Sequence, residues 1–488
     1  MLKGLEAIEI YLSDCKSVID FRIDANTYKK SYVYSHKLLM GKQPQTIGEL
    51  SKSVQNFGAY SLCNLINFVD EGIPFLMTEN IRHNYIDWNI KRYVDKGTHE
   101  ILYKSHCKQE QVLITMAGEY LGRVAVYDKD SICSSNQAIA KVTLNNNADP
   151  YMTSTFLNSH YGQDQINRLK TITGQPNINM SLIKSLLIPA FSSEFSLKIR
   201  SMIICSSNKK QSHEDLYQKA ENLLLKELDL LDFKPSTENI AIKSFSESFG
   251  DSGRLDSEYY QPKYDEIIMK LNNYSGGVNL LSKSFEIISG KTPKKYFNTG
   301  IRVIKTKNIR IPQVDVANIT DHSADMLSVT KKNDLLFASM GVGSLGRISY
   351  VTDDSKNLNV DGTIKIFRAR TKGKNIEVPT MLFLASRIGQ EMIYKYVIGS
   401  TGIISISKHC IYELLLPNFS NDIAENTTKM VLESIRLKQQ SKNLLEVAKK
   451  SVEIAIENNE RVAMEYINSQ KIMYECPASE LIETKIHA

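Results

Sequence analysis

The glycine-rich segments of this chain come nearest to a cofactor motif. Gly341-Val-Gly-Ser-Leu-Gly346 has the spacing of a dinucleotide-binding turn, in which glycines let the backbone approach a pyrophosphate. That turn needs a helix after it, whereas a strand-like run, Arg347-Ile-Ser-Tyr-Val351, follows here. Ser289-Gly-Lys-Thr292 ends like a phosphate-binding loop, but Phe285 occupies the position of the earlier glycine. Neither segment predicts a nucleotide site.

Side chains that could ligate a metal or form a nucleophilic site are scattered along the chain. The histidines show no His-x-x-x-His spacing of the kind that metal sites use, and the cysteines lack the close pairs of zinc sites. A Glu-Thr-Lys485 sequence near the end of the chain has no upstream acid that would complete a nuclease site. We therefore predict no catalytic residue, no metal site and no cofactor bound by this chain.

Basic residues offer a different chemistry, the binding of a polyanion. The formal net charge of +6 suits such a partner but is also common among enzymes. An arginine can bind phosphate or guanine through two parallel hydrogen bonds. Four arginines lie in matching sequence contexts: Arg82, Arg123, Arg310 and Arg347. A solvated surface is the alternative explanation for each of them.

A second basic group contains aromatic residues. Tyr296 and Phe297 lie among lysines, and this mixture suits contact with a nucleic-acid backbone. The lysines are Lys291, Lys294, Lys295, Lys305 and Lys307. An ordinary solvated face would explain this group equally well.

An internal repeat accounts for the matching contexts of the arginines. The segment from Gly72 to Arg82 matches the segment from Gly300 to Arg310 at an offset of 228 positions. Leu113 to Arg123 matches Leu336 to Arg347 after a small gap, and both copies end in Leu-Gly-Arg. A register kept over so long a span predicts a duplicated domain.

Further matches extend the repeat in both directions. Thr173-Gly-Gln-Pro-Asn-Ile-Asn179 aligns with Thr401-Gly-Ile-Ile-Ser-Ile-Ser407, again at an offset of 228 positions. Arg22-Ile-Asp-Ala-Asn-Thr-Tyr28 resembles Arg254-Leu-Asp-Ser-Glu-Tyr-Tyr260. The copies therefore share an opening motif as well as a centre.

Each copy leads into a segment with helical periodicity. The apolar positions that we expect to pair the helices are Leu216, Ala220, Leu223, Leu224, Leu228 and Leu231 in the first, and Leu445, Ala448, Val452 and Ala455 in the second. Polar stretches interrupt both segments at matching places, Ser206 to Ser212 and Ser434 to Ser441. Each segment is therefore either two helices or one weakened helix. A further helix is predicted from Met381 to Tyr396.

The ordered repeat resembles the specificity subunits of type I restriction-modification systems. The opening motif, the Asn-Ile-Arg and Leu-Gly-Arg segments, and the exits Leu186-Leu-Ile-Pro189 and Leu414-Leu-Leu-Pro417 carry this resemblance over roughly residues 20–466. It implies a mixed α/β fold with two tandem target-recognition domains, each followed by a long helix, and with the two helices packed as an antiparallel coiled coil. The expected segments are an N-terminal helical segment 1–20, a first recognition domain 21–190, a central helical spacer 191–233, a linker 234–253, a second recognition domain 254–417, a distal helical spacer 418–466 and a tail 467–488.

The resemblance also implies partners. It implies that the chain recognises double-stranded DNA and directs methyltransferase subunits, and through the complex endonuclease subunits, to the recognised sequence. S-adenosylmethionine, ATP and magnesium are then expected in those partners. No run of about 18 apolar residues occurs, which predicts a cytoplasmic protein without a membrane partner.

A bipartite and asymmetric target is the expected ligand. The 37 residues from Phe195 to Leu231 would span about 55 Å as a helix, which exceeds the roughly 34–36 Å of one DNA turn. The copies differ at Gln175-Pro-Asn177 and Ile403-Ile-Ser405, which indicates unequal half-sites. Asn80 and Asn308 are kept in both copies, which favours a structural turn over base reading.

Two other functions remain open on the sequence. An enzyme could bind a nucleotide or S-adenosylmethionine at Gly341 to Gly346. A noncatalytic scaffold could use the repeated domains to bind proteins, with the helices serving assembly alone. DNA binding that weakens as the salt concentration rises would favour the DNA-specificity subunit over the scaffold.

Overall fold

The computed structural model describes residues 8–18, 21–58, 60–171, 174–250, 252–371, 373–399 and 402–470. Thr173, Thr401, and the tail from residue 471 onward with its Glu-Thr-Lys485 sequence, lie outside these ranges. Contacts divide the chain into two compact units, an N-terminal unit of residues 1–210 with 439–488 and a C-terminal unit of residues 211–438. The segment boundaries expected from the sequence remain predictions.

Helices of very different lengths occur in the described ranges. They are α1 Leu12–Ser17, α2 Lys30–Met40, α3 Ile47–Leu50, α4 Lys96–Ile101, α5 Pro150–Asn158, α6 His160–Leu169, α7 Met180–Lys184, α8 Ser193–Glu227, α9 Pro262–Asn272, α10 Leu281–Ser284, α11 Glu377–Ala385, α12 Arg387–Lys395, α13 Lys408–Tyr412, α14 Asn421–Glu457 and α15 Glu460–Ser469. Among these described helices, none combines the length and the apolar composition that a membrane crossing requires.

The strands are short. They are β1 Gln45–Thr46, β2 Ser51–Gln55, β3 Phe68–Val69, β4 Ile73–Leu76, β5 Tyr93–Val94, β6 Val112–Thr115, β7 Val124–Val126, β8 Ser134–Ser135, β9 Ile139–Leu144, β10 Leu187–Ile188, β11 Val278–Leu280, β12 Phe285–Ser289, β13 Ile301–Ile304, β14 His322–Ser323, β15 Leu335–Ala338, β16 Ile348–Tyr350, β17 Asn359–Val360, β18 Ile364–Ala369 and β19 Leu415–Pro417. The mixed α/β class expected from the sequence is confirmed.

The two units contain the same central sheet. Its strand order is β2-β9-β6-β7 in the N-terminal unit and β12-β18-β15-β16 in the C-terminal unit, antiparallel throughout. A parallel pair accompanies each sheet, β4 with β8 and β13 with β17. The duplicated sequence therefore folds into duplicated topology.

Strand alternation buries both faces of each central sheet. In β6, Val112 and Ile114 enter one core while Leu113 enters another. In β15, Leu335 and Phe337 enter one core while Leu336 enters another. Helices cover the first face in each unit, and α5 and α11 supply their most deeply buried aromatic residues to it. This packing holds the loops at the strand ends in place.

The helix predicted from Met381 to Tyr396 is two helices, α11 and α12. Ser386 separates them, because its side chain accepts a hydrogen bond from the Gly389 N–H and so caps α12. Ser159 separates α5 from α6 in the same way and accepts from Gly162. The apolar periodicity of the segment concealed this break.

The polar stretches do not interrupt the long helices, since α8 and α14 are each continuous. In the N-terminal unit, the Ser206 and Ser441 hydroxyls each donate to the other residue's carbonyl, both at 2.9 Å. In the C-terminal unit, the Ser434 hydroxyl donates to the His213 carbonyl at 3.1 Å. Ser206 and Ser434 are 228 positions apart, as are His213 and Ser441. The polar stretches therefore form buried, hydrogen-bonded contacts between the two helices.

The helices are packed together and antiparallel. In the N-terminal unit, Lys209 contacts Gln440 while Ser206 contacts Ser441, so one helix ascends as the other descends. The predicted packing of the two helices is confirmed. A satisfied polar contact within an apolar seam also selects one register over its neighbours.

Most of the predicted helix-pairing residues lie in or against the cores of the two units. Ala220, Leu224 and Leu228 enter the core of the C-terminal unit, with Leu223 packed against it and Leu216 half-buried. Ala448, Val452 and Ala455 enter the core of the N-terminal unit, with Leu445 packed against it. The two predicted stripes therefore do not face each other, because antiparallel packing places the second half of one helix against the first half of the other.

Leu231 is a separate correction. It lies beyond the end of α8 and is 43% exposed. Asp229 adopts a left-handed conformation with φ of 51°, so the chain has already left the helix before Leu231. The helical periodicity continues further than the helix does.

Candidate nucleic-acid interface

A loop closed by an asparagine follows the parallel strand β4. The Asn80 Oδ1 accepts from the Met77 N–H at 2.9 Å, and the Asn80 Nδ2 donates to the Asp87 carbonyl at 3.1 Å. The Asp87 N–H donates in turn to the Asn80 carbonyl at 2.8 Å. Arg82 lies within this loop, whose ends are thereby fixed.

The C-terminal unit builds the same loop after β13. The Asn308 Oδ1 accepts from the Lys305 N–H at 3.0 Å, and its Nδ2 donates to the Asp315 carbonyl at 3.4 Å. The Asp315 N–H donates to the Asn308 carbonyl at 2.9 Å. The asparagines are therefore structural turn residues, as predicted. Asn80 closes the loop that contains Arg82, and Asn308 closes the loop that contains Arg310.

The Leu-Gly-Arg segments are fixed by glutamine side chains from the helices. The Gln163 Nε2 donates to the Gly122 carbonyl at 2.8 Å, and the Gln390 Nε2 donates to the Gly346 carbonyl at 3.1 Å. Both glycines have positive φ, 86° and 84°. L side chains rarely adopt this left-handed conformation, which favours glycine at both positions. These turns position Arg123 and the equivalent arginine of the other unit.

Arg82, Arg123 and Lys210 together form the N-terminal cation cluster. The Arg123 guanidinium lies 4.2 Å from the centroid of the Tyr120 ring, and its Nη1 donates at 3.4 Å to the carbonyl of the residue before Arg82. The Lys210 Nζ lies 5.2 Å from the centroid of the Tyr85 ring. The Tyr85 carbonyl accepts from the Arg82 N–H at 3.0 Å, so Tyr85 links the loop to the helix α8.

The charge of Arg82 destabilises the charged form of Arg123. Burial lowers the pKa of Arg123, and the neighbouring charge of Arg82 lowers it further. Asp87 offsets part of this repulsion, since its Oδ2 lies 3.3 Å from the Arg82 Nη2. A bound phosphate would interact favourably with both guanidinium groups and relieve the rest.

Arg310, Arg347 and Lys438 form the C-terminal cation cluster. The Lys438 Nζ donates at 3.4 Å to the carbonyl of the residue after Arg310. The Ser349 hydroxyl accepts from the Arg310 N–H at 2.7 Å and donates to the Arg310 carbonyl. Burial lowers the pKa of Arg347, and the charge of Arg310 lowers it further. The same cations therefore gather at equivalent places in both units.

One carboxylate distinguishes the two clusters. Asp315 is the counterpart of Asp87, but its Oδ2 accepts from the Asn318 Nδ2 at 2.7 Å. Within the described residues, Arg310 forms no ion pair with it. Arg310 therefore lacks the carboxylate contact that Arg82 makes with Asp87.

The predicted lysine group divides into two parts. The Lys305 Nζ lies 3.1 Å from the Asp321 Oδ1, the Lys307 Nζ lies 3.7 Å from the Oδ2, and the hydrogen bond from Lys305 lowers the pKa of that carboxyl. The Lys305 Nζ also lies 3.9 Å from the centroid of the Tyr296 ring. Lys305 and Lys307 are therefore largely neutralised.

The other three lysines of the group keep their charge available. Lys291, Lys294 and Lys295 are exposed, and none forms an ion pair in the part of the chain that the structure describes. The Lys295 Nζ lies 5.4 Å from the centroid of the Phe297 ring. These three are the members of the group that could contact a polyanion.

The glycine-rich segments adopt turns that differ from nucleotide-binding loops. Gly341 to Gly346 connects β15 to the antiparallel strand β16, as the strand-like pattern predicted, and the Ser344 hydroxyl folds back on the Met340 carbonyl at 3.0 Å. After Ser289, the Lys291 N–H donates to the Val360 carbonyl at 2.9 Å instead of opening a helix. Among the described residues, no group of three or more His, Cys, Asp or Glu could hold a metal ion.

Sequence reasoning missed Lys210 and Lys438. They lie in the polar stretches of the two helices, and they are separated by 228 positions, the offset of the repeat. Applying that offset to every lysine would have found them. Their helical setting concealed a role beside the loops.

No family model and no curated protein matches this sequence. Among solved structures, the chain is similar to the S subunit of a type I restriction-modification system from M. genitalium, with 16% identity over 85% of this chain and 94% of that chain and a TM-score of 0.44. It is also similar to the HsdS subunit from Thermoanaerobacter tengcongensis, with 10% identity over 87% and 96% of the two chains and a TM-score of 0.26. A chain from a structure of type I R-M system assembly matches with 12% identity over 86% and 96%, at a TM-score of 0.27. The similarity to these subunits extends over most of the chain.

Proposed function

We propose that this chain is the noncatalytic DNA-specificity subunit of a type I restriction-modification complex. Each repeat would bind one half of a bipartite, asymmetric sequence. Methyltransferase subunits would act at that DNA sequence, as would endonuclease subunits recruited through them. S-adenosylmethionine, ATP and magnesium would be bound by those partners.

The observation that carries the proposal is the duplicated cation cluster. Two arginines and a lysine recur on the same framework in both units, at Arg82, Arg123 and Lys210 and at Arg310, Arg347 and Lys438. DNA presents the same phosphate groups at each half of a site while its bases differ. A protein with duplicated cations and unequal surroundings matches that combination.

The glycine-rich turn gives less support to the competing enzyme hypothesis. A nucleotide-binding loop directs phosphates at the N-terminus of a following helix, whereas the turn from Gly341 to Gly346 leads into a strand. A protein-binding scaffold remains a competitor, and DNA binding that is absent or insensitive to salt would favour it.

The proposal is tested by mapping N6-methyladenine in cells that co-express this chain with a candidate methyltransferase partner. The host should otherwise lack such activity. We expect a gapped, asymmetric methylated motif that disappears when this chain is omitted. An assembled complex that methylates no defined motif would overturn the proposal.

A further inference from the structure

The two cation clusters contain the same charged residues, but the residues next to them differ. Positions equivalent by the offset of 228 differ next to the arginine loops, and the residue three places before the arginine of each Leu-Gly-Arg segment differs as well. The N-terminal unit has His83, Tyr85 and Tyr120, and the C-terminal unit has Ile311, Gln313 and Ser344. These six residues are the divergent positions.

We infer that the cation clusters bind backbone phosphates in both half-sites and that the divergent positions read the bases beside them. This inference rests on the proposed function. A residue kept in both copies can serve only what both half-sites share, which is the phosphate backbone. A residue that differs can serve what distinguishes them, which is the pattern of donors and acceptors on the base edges.

In the N-terminal unit, the divergent positions, which we call the readers, lie beside the cations. Tyr120 lies against the Arg123 guanidinium, and Tyr85 lies beneath the Lys210 amine. A phosphate held by Arg123 would therefore bring the adjoining base edges towards the tyrosines. This is the arrangement in which backbone contacts fix the register that base contacts need.

Three of the divergent positions have side-chain polar groups that are not used within the protein. Within the described residues, the Tyr85 and Tyr120 hydroxyls and the Gln313 side-chain amide make no hydrogen bond, and all three side chains are partly exposed. Ile311 is 39% exposed. The hydrogen bonds that hold the loop and the turn come from other residues, such as Asn80 and Gln163.

The two sets of readers differ in chemistry. The N-terminal set offers two phenols and an imidazole, whose Nδ1 is hydrogen-bonded to Asn158 at 2.8 Å. The C-terminal set offers an amide, which suits an adenine edge, and an aliphatic chain, which suits a thymine methyl group. The half-sites should therefore differ in sequence.

The first test exchanges the readers and leaves the cations in place. The triple variant His83→Ile, Tyr85→Gln, Tyr120→Ser gives the N-terminal unit the side chains of the other unit. In the assembled complex, methylation mapping should show altered or relaxed bases in one half of the motif and an unchanged second half. The reciprocal variant Ile311→His, Gln313→Tyr, Ser344→Tyr should affect the other half.

The second test removes cations and leaves the readers in place. Arg82→Gln with Arg123→Gln should keep the methylated motif but weaken DNA binding by about 100-fold, and it should reduce the slope of log affinity against log salt by about 2. Lys96→Gln is the matched control, since Lys96 is exposed in the same unit and lies 3.8 Å from Glu100. This control should change the affinity little.

The results separate this inference from the proposed function. A wild-type complex with no motif contradicts the proposed function itself. With a wild-type motif in hand, reader exchanges that leave both halves unchanged, or arginine variants that change the motif, overturn the inference. A reader exchange that alters one half of the motif and leaves the other half unchanged supports the inference. Either variant alone is sufficient if the other assembles poorly.

Discussion

In each unit, the face of the central sheet that bears Leu113 or Leu336 packs into an inner core, and these two inner cores differ at one central position. Lys141 pairs with Leu113 in the sheet of the N-terminal unit, and Ile366 pairs with Leu336 in the sheet of the C-terminal unit. Ile366 lies in a wholly aliphatic cluster. Lys141 is only 1% exposed, and its Nζ donates to the Ser135 hydroxyl at 3.1 Å.

This difference shows that the same fold accepts a buried amine in one core and an aliphatic side chain at the matching place in the other. Burial lowers the pKa of Lys141 to about 8, although the nearby Cys107 and Cys133 thiols oppose the shift. The duplicated topology depends on strand alternation and on the loop and turn contacts that both units keep.

The largest expected effect tests whether both units depend on the same helix junction. A Cβ at Gly162 would lie 2.4 Å from the Leu157 Cα, and a Cβ at Gly389 would lie 2.0 Å from the Phe383 carbonyl oxygen. Gly162→Ala and Gly389→Ala should each lower the free energy of unfolding by about 4 kcal/mol. Denaturant titration measures it, and Gly97→Ala, in an open helical position, is the control. Tolerance of either junction variant would show that the junctions are not equivalent.

The second prediction removes the difference between the inner cores. Lys141→Ile should raise the free energy of unfolding by about 3 kcal/mol at pH 7, because the depressed pKa measures the cost of burying the charge. The folded pKa lies below the unfolded value, so the wild type binds fewer protons when folded and regains stability between about pH 8 and 10. The advantage of the variant should shrink over that range.

Lys52→Ile is the matched control for the buried lysine. Lys52 is exposed on β2 of the same sheet. It should change stability little and show no comparable pH dependence. An equal gain from both variants would mean that general hydrophobicity, not relief of a buried charge, is responsible.

The third prediction concerns the glutamines that hold the Leu-Gly-Arg turns. Gln163→Ala and Gln390→Ala should each cost about 2 kcal/mol, since each side chain also donates to a helix carbonyl, of Leu157 at 2.8 Å or Leu384 at 2.7 Å. Gln218→Ala on the exposed face of α8 should be nearly neutral. Unequal costs in the two units would show that the turns are supported differently.

The smallest effect concerns the polar contacts between the helices. Ser206→Ala and Ser441→Ala should each cost about 1 kcal/mol, and a double-mutant cycle should reveal coupling because each hydroxyl bonds to the other residue's backbone. Ser434→Ala should behave similarly in the C-terminal unit. Strictly additive costs would indicate that the serines do not act as a pair.

The sequence predicted the parts of the molecule that the repeat encodes. The offset of 228 positions placed Arg82 and Arg310 at equivalent loop positions and indicated that Asn80 and Asn308 are structural. Contacts between residues far apart in the sequence could not be predicted from the repeat. Periodicity could not reveal that Ser386 separates two helices, because the apolar pattern continues across this local side-chain cap. It also could not reveal that the polar stretches bond to each other, because those hydrogen bonds join residues more than 200 positions apart. It also could not show Lys210 beside Tyr85, since one belongs to a helix and the other to a distant loop.

The central claim is that each repeat reads one half of the target independently. It is tested most directly by replacing residues 21–190 with a second copy of residues 254–417 and mapping N6-methyladenine in the assembled complex. The account predicts a gapped motif whose two halves carry the same bases, both matching one half of the wild-type motif. Persistence of the original asymmetric motif, or a motif unrelated to either wild-type half, would contradict it.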